Sequence, residues 1–161
     1  MIRNSKQTDL DRQYLKLALS KRKMSDDPNS KLVAQSGVVA VIVRSDEVLS
    51  ISANVLPPKL KSKFTAENLT VNELLRYDLI EHAERAAIYG ALLHGSDLTN
   101  ATLYCTRFPC SDCARAIIWS GITRIVTLSG FANESRWLAS QKAALDMMRS
   151  VGITVRYLSI E

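Results

Sequence analysis

The pattern of apolar and polar positions in the first half of the chain predicts a helix followed by a β-hairpin. Apolar residues recur at near-helical spacing over residues 8–24, and Thr8 or Asp9 could cap this helix. The continuous β-branched run 37–43 predicts a buried strand. A polar turn separates it from the apolar segment 48–53, which predicts an antiparallel partner strand.

Helical and strand patterns then alternate through the second half of the chain. The predicted elements are a helix over 78–93, a strand over 101–106, a helix over 111–120, a strand over 124–129, a helix over 134–150 and a strand over 153–158. Gly95 and Gly121 provide stops for two of the helices. This alternation predicts parallel pairing with helices covering both faces of the sheet.

Length and composition are those of one globular domain, with a helix and loop over 1–36 and a core over 37–161. The chain has 161 residues, of which 47% are hydrophobic, and its net charge is +5. That charge suits an anionic substrate such as a phosphate, although solubility alone also explains it. No apolar stretch approaches a membrane span, no signal peptide is evident, and an odd cysteine count argues against a disulfide framework. We therefore expect a cytoplasmic protein that does not enter a membrane.

Two cysteines and one histidine have the spacing of metal ligands. Cys110 and Cys113 are three residues apart, so on a helix they share one face, and Pro109 suits the entry to that helix. The first helical turn also favours thiolates, the form that binds zinc. His82, near the start of the preceding predicted helix, supplies a third ligand. We expect one Zn²⁺ ion on His82, Cys110 and Cys113.

The number of ligands distinguishes a structural from a catalytic zinc site. Structural sites are usually closed by four protein ligands, whereas catalytic sites keep one position open. His94 lies about 18 Å from His82 along the same predicted helix and cannot close the site. Cys105, at the end of a predicted strand, is the one residue that could close it, the alternative being a small core residue.

Glu84 follows His82 by two residues and is a candidate general base. Zinc with two thiolates and a neutral imidazole carries no net charge, so activation of its water would benefit from a nearby base. His-x-Glu followed by Pro-Cys-x-x-Cys, each opening a predicted helix, matches the signature of zinc deaminases. The alternatives are a structural zinc module and a thioredoxin-like cysteine pair.

Residues 81–88 and 101–118 closely resemble the cytidine/deoxycytidylate deaminase superfamily, and they look nearest to its deoxycytidylate (dCMP) deaminases. The resemblance implies a three-layer α/β/α sandwich around a mixed five-stranded sheet. It also implies that His82, Cys110 and Cys113 bind zinc and that Glu84 shuttles protons. Members form dimers and hexamers, so the resemblance implies a homo-oligomer.

The same resemblance implies several substrate contacts. Asn54, at the end of the second strand, matches a substrate-binding Asn, although an Asn before a proline pair is also a turn former. Backbone groups around Ala83 and Phe108 would orient the substrate ring. One departure concerns the second residue after the catalytic Glu, which is Ala86 here instead of the Asn that contacts the sugar.

Residues 59–77 are polar and lack a clear period, which predicts a long irregular loop with a helical turn near residues 72–75. Lys59, Lys61 and Lys63 alternate with other residues just after Asn54. One interpretation is a phosphate-binding lid over the substrate, and the other is a solvated loop.

The predicted function is deamination of a nucleotide or nucleobase, with dCMP converted to dUMP and ammonia as the leading reaction. The alternatives are deamination of a tRNA adenosine or of a free base such as guanine, and a non-catalytic zinc-stabilised binding module. A tRNA enzyme needs an extended basic surface. The positive charges are spread along the chain and only 6% of residues are aromatic, so we do not expect nucleic acid as a partner.

Overall fold

The computed structural model describes residues 2–32, 37–128 and 135–160, within which five strands form one sheet in the order β2-β1-β3-β4-β5. The strands are β1 (Val39–Arg44), β2 (Glu47–Ala53), β3 (Thr102–Cys105), β4 (Arg124–Leu128) and β5 (Thr154–Leu158). β1 is antiparallel to both of its neighbours, whereas β3, β4 and β5 are parallel. The predicted mixed five-stranded sheet is confirmed.

Helices flank the sheet along the described chain, and none of those described is long and apolar enough to cross a membrane. They are α1 (Ile2–Ser20), α2 (Asn29–Leu32), α3 (Ala66–Val71), α4 (Glu73–Leu79), α5 (Ala83–Leu93), α6 (Ser111–Trp119) and α7 (Ser135–Ser150), with 3₁₀ turns at Arg22–Met24 and Pro58–Leu60. The predicted cap at Thr8 or Asp9 is wrong, because α1 continues through both residues. The predicted end of the fourth strand at Ser129 and the predicted start of the last helix at Glu134 lie outside the described residues.

The two faces of the sheet are covered by different helices, as the three-layer prediction requires. Tyr14, Leu15 and Ala18 of α1 pack on one face, against alternate residues of β1 that include Val41. The opposite face packs against α5, α6 and α7. Each of these three helices links two parallel strands in the same direction across the sheet. Right-handed crossovers therefore place all three on one side.

A buried carboxylate fixes α1 to the sheet. The side chain of Asp11 is fully buried and accepts hydrogen bonds from Arg124 at 2.8 and 2.6 Å and from Arg156 at 2.8 Å. The hydroxyl of Tyr104 donates to it at 3.0 Å. Four partners, with Gln7 as the fourth at 3.0 Å, offset the cost of burying this charge.

The segment between β2 and α5 is more helical than the sequence predicted. Thr65 and Asn68 form a reciprocal capping box at the start of α3, and Asn72 caps α4. Beneath these helices, Leu69 and Ile80 form a small apolar cluster with neighbouring residues. Local caps and this cluster therefore give the segment two helices.

The predicted helix over 78–93 is interrupted before its second turn. Residues 80–82 are extended between α4 and α5, and Glu81 exchanges two backbone hydrogen bonds with Val55, at 2.8 and 3.0 Å. This bridge makes His82 the residue that precedes α5, instead of a residue within a helix. The carboxyl ends of β2 and β3 and the amino ends of α5 and α6 thus meet at one edge of the sheet.

Candidate metal centre and active site

Two helix starts supply the donor atoms of the predicted metal site. His82 is the N-cap of α5 and Cys110 is the N-cap of α6, and neither side chain caps its own helix. Their side chains are therefore available to a ligand, while Cys113 joins them from the first turn of α6. The donor atoms of the three residues form one cluster that could hold a metal ion. It is the metal-binding group found among the residues that the structure describes.

The spacing of these donors matches a tetrahedral zinc ion. The Sγ atoms of Cys110 and Cys113 are 3.5 Å apart, and they lie 3.4 and 3.5 Å from Nδ1 of His82. Zinc held about 2.3 Å from sulfur and about 2.0–2.1 Å from nitrogen separates two sulfurs by about 3.8 Å and sulfur from nitrogen by about 3.6 Å. The cluster needs only slight expansion to accept the ion.

The electrostatics of the two thiols also fit a cation. The hydrogen-bond contact between the two sulfurs holds the pKa of Cys110 well below its usual range, which favours the thiolate at this position. The same contact with Cys110, together with burial, raises the pKa of Cys113. A divalent ion between the sulfurs would offset their repulsion and favour both thiolates.

Glu84 lies beside this cluster without belonging to it. Its side chain is buried, and one carboxylate oxygen lies 3.6 Å from the sulfur of Cys113. Burial raises its pKa, and the nearby positive charge of His82 acts in the opposite direction. A carboxyl group in this position can take up and release a proton next to a metal-activated water.

Cys105 does not belong to the donor cluster. It is fully buried at the end of β3 and packs in the core with α5 and α6, and burial raises the pKa of its thiol well above the usual range. A protonated core thiol is the expected state of such a cysteine. Among the described residues, the candidate metal site therefore has three protein donors. The fourth coordination position of a tetrahedral ion is left open.

Asn54 is brought to the same place by the end of β2. Its side-chain oxygen accepts a hydrogen bond of 3.0 Å from the backbone N–H of Ala83. This bond satisfies one of the free amides at the start of α5 and fixes the rotation of the Asn54 side chain. The amide nitrogen of Asn54 remains to donate to a ligand in the cavity that this side chain lines.

Two connected cavities open onto the metal cluster. The inner cavity, with an empty volume of about 370 Å³, reaches Glu84 and Cys110 and is also lined by Phe108. The outer cavity, of about 820 Å³, continues from it toward α2 and α4. The wall shared by both cavities consists of Val38, Asn54, His82, Arg107 and Trp137.

Arg107, Trp137 and Gln141 line the inner cavity but were not predicted as site residues. The ring of Trp137 lies 5.7 Å from that of His82, centroid to centroid. Trp137 and Gln141 are four residues apart and so share a face of α7. One signal in the sequence could have indicated that α7 borders the site. Gln141 is a polar residue on the same helical stripe as the core residues Ala144 and Met148.

Three residues considered for substrate contacts lie elsewhere. Ala86 and Lys61 line a groove between α5 and β2, and neither residue lines the two cavities. Lys61 forms an ion pair of 2.8 Å with Asp26. Lys59 is exposed in the 3₁₀ turn after Pro57 and lines neither cavity. The structure does not bring the lysines over the site.

Comparison with known proteins agrees with this geometry. The family model described as the cytidine and deoxycytidylate deaminase zinc-binding region matches residues 8–129. The chain belongs to this family. The deoxycytidylate deaminase of Pongo abelii is 28% identical over 149 residues, which cover 89% of this chain and 76% of that protein. The deoxycytidylate deaminase of Enterobacteria phage T2 is 40% identical over 75 residues, or 46% of this chain and 36% of that protein.

Solved structures show the same fold. The dCMP deaminase of cyanophage S-TIM5 in apo form aligns with a TM-score of 0.69 at 19% identity, covering 93% of this chain and 98% of that chain. Its complex with dCMP and dUMP aligns with a TM-score of 0.65 at 21% identity, covering 91% and 94%. This member of the family is a zinc-dependent deaminase in which His82, Cys110 and Cys113 are positioned to bind a metal ion.

Proposed function

We propose that this chain deaminates dCMP, adding water and releasing dUMP and ammonia. The observation that carries this proposal is the buried carboxylate of Glu84 beside three metal donors, at the inner end of a cavity. A purely structural zinc site has no use for such an acid. The choice of dCMP is supported by similarity to deoxycytidylate deaminases along most of the chain.

The proton transfers fall to Glu84. Zinc, when bound, would polarise a water molecule and lower its pKa. Glu84 accepts the proton of the attacking water and delivers it to N3 of the cytosine ring as C4 is attacked. It then takes the proton of the new C4 hydroxyl and delivers it to the 4-amino group, so that the C4–N bond breaks, the C4 carbonyl of dUMP forms and ammonia leaves. Burial excludes competing bulk water from these transfers.

Ring orientation is the proposed role of residues around the inner cavity. Asn54 donates its amide to the ring or sugar, while Ala83 fixes the orientation of Asn54 through its backbone N–H. The backbone near Phe108 borders the ring, and Trp137 covers the entrance from α7. An aromatic side chain at this entrance suits a planar heterocycle.

We further propose a homo-oligomer that works in the reducing cytoplasm. Trp119 at the end of α6 is 91% exposed and Leu93 at the end of α5 is 83% exposed, which supports burial of these residues against another copy. Thiolate donors require a reducing compartment to stay available for zinc. Light scattering of the purified protein measures the oligomer, and a monomeric mass would reject this part of the proposal.

A substrate panel tests the proposed function. The zinc-loaded enzyme is incubated with dCMP, dCTP, deoxycytidine, guanine and adenosine, and ammonia release is measured. We expect the highest kcat/KM with dCMP. Ammonia release from guanine or adenosine, and from none of the cytosine compounds, would show that dCMP is not the substrate. Absence of ammonia from every compound would favour a non-catalytic zinc-stabilised module.

A further inference from the structure

The shared wall between the two cavities determines the path of any substrate larger than a base. A ring that reaches Glu84 fills the inner cavity, so its substituents must extend into the outer one. Arg107 and Trp137 lie on both cavities, at the point that these substituents pass. The outer cavity itself contains one more arginine, Arg76, and the acidic residue Asp27.

The charge of Arg76 is already compensated. Its guanidinium donates to both carboxylate oxygens of Asp27 at 3.2 and 3.1 Å and approaches Glu73 at 3.4 Å. The side chains of Arg76 and Asp27 are only 11% and 16% exposed, and the guanidinium also covers the ring of Tyr77 at 4.3 Å. Arg76 therefore holds α4 against the loop before α2 and has little charge to offer a ligand.

Arg107 differs from Arg76 in this respect. It forms no ion pair with any side chain in the described ranges 2–32, 37–128 and 135–160, and it borders both cavities. It lies just after β3, separated from the strand by Thr106, and it precedes Cys110 by three residues, so the strand and the metal ligand constrain its backbone on both sides. Among the residues that the structure describes, the Arg107 side chain therefore has no ion-pair partner on the wall between the two cavities.

We infer that Arg107 binds the phosphate of the substrate and gives this site its preference for a nucleoside 5′-monophosphate over the nucleoside. The inference rests on the proposed function and names the residue that makes it selective. A guanidinium presents two parallel N–H donors to phosphate oxygens, and this arrangement is the strongest that an arginine makes. Arg107 thus takes the role that the sequence suggested for Lys59, Lys61 and Lys63.

The test compares two substrates that differ only in the phosphate. Arg107→Gln should lower kcat/KM for dCMP by about tenfold to a hundredfold, because a charge-assisted hydrogen bond is lost. The value for deoxycytidine should stay within about twofold of the original enzyme. Arg107→Lys, which keeps the charge but not the paired donors, should recover part of the loss.

Two variants control for charge alone. Lys61→Gln removes a charge from the groove outside the cavities. Arg44→Gln removes a partly exposed arginine that pairs with Asp97 at the end of β1 farther from the site. Neither variant should change the ratio of kcat/KM for dCMP to kcat/KM for deoxycytidine. Calorimetry with dUMP and deoxyuridine gives a readout independent of turnover, and only dUMP should bind more weakly to Arg107→Gln.

The outcomes separate this inference from the proposed function. If the unmodified enzyme does not act on dCMP, the proposed function fails, and this inference fails with it. If the unmodified enzyme prefers dCMP and Arg107→Gln keeps that preference, only the role of Arg107 is overturned. Equal losses with dCMP and deoxycytidine would also overturn it, since they indicate a general disturbance of the loop.

Discussion

The side chain of Gln141 donates a hydrogen bond of 2.7 Å to the backbone carbonyl of Phe108. One residue earlier on α7, the hydroxyl of Ser140 accepts a bond of 2.9 Å from the backbone N–H of Ser111. These contacts hold the two sides of Cys110, the metal donor between Phe108 and Ser111. The last described helix therefore supports a ligand loop that lies far from it in sequence.

Replacing Gln141 by Met should destabilise the protein by about 1–3 kcal/mol, because the hydrogen bond from Gln141 to the buried carbonyl of Phe108 is lost. Urea unfolding of the zinc-loaded protein at pH 7 measures the change. Gln13→Met, on the exposed side of α1, is the matched control and should stay within about 0.5 kcal/mol of the original protein. Equal stability of the two variants would contradict the proposed support.

Replacing Glu84 by Gln should lower kcat by at least about a thousandfold while the zinc content stays unchanged. Glutamine has nearly the same size but cannot accept the proton of the attacking water. Ammonia release and elemental analysis of the same preparation measure both properties. Glu47→Gln, at the exposed start of β2, should leave both unchanged. A variant at position 84 that retains more than about a tenth of the activity would exclude proton transfer by Glu84.

Replacing Cys113 by Ala should remove zinc, whereas replacing Cys105 by Ala should not. Cys113 is one of the three clustered donors, and Cys105 packs in the core outside the cluster. Elemental analysis after dialysis should give about one zinc ion per chain for the original protein and for Cys105→Ala, and almost none for Cys113→Ala. Zinc loss from Cys105→Ala with its fold intact would make Cys105 a fourth donor.

The charge of Asp11 should stabilise the protein at neutral pH and lose this effect in acid. Burial alone would raise the pKa of Asp11, but hydrogen bonds from Arg124 and Gln7 outweigh burial, so its pKa is lowered on folding. A lowered pKa means that the stabilisation is complete above the unfolded value of about 3.9 and disappears as pH falls through the folded value.

Asp11→Asn should therefore reduce the free energy of unfolding at pH 7 by about 2–4 kcal/mol, since it leaves two arginines without their anion. The difference from the original protein should shrink below about pH 4. Urea unfolding at several pH values measures this difference. Asp9→Asn, whose side chain is 75% exposed on the same helix, should have a small effect at every pH. A constant difference between pH 7 and pH 3 would contradict the role of the charge.

The elements with a strong local signal were predicted well. The β-branched run before Arg44 forms β1, and glycines with positive φ follow α5 and α6, at Gly95 and Gly121. The prediction failed at residues 80–82, where a helical pattern is broken by pairing with Val55. That bridge joins residues distant in sequence, so local periodicity contains no sign of it.

The sequence by itself determined the reaction, because His82, Glu84, Cys110 and Cys113 occur at spacings that only a few metal chemistries require. Tertiary structure decided what surrounds these residues. Cys105 is buried in the core, and Lys61 lies in a groove separate from the site. Arg107 and Trp137 lie together on the wall shared by the two cavities. The physical reason is that metal ligands must sit on particular helix turns, which leaves a local pattern. A cavity wall instead forms from strand ends and helix faces that meet only when the sheet is assembled.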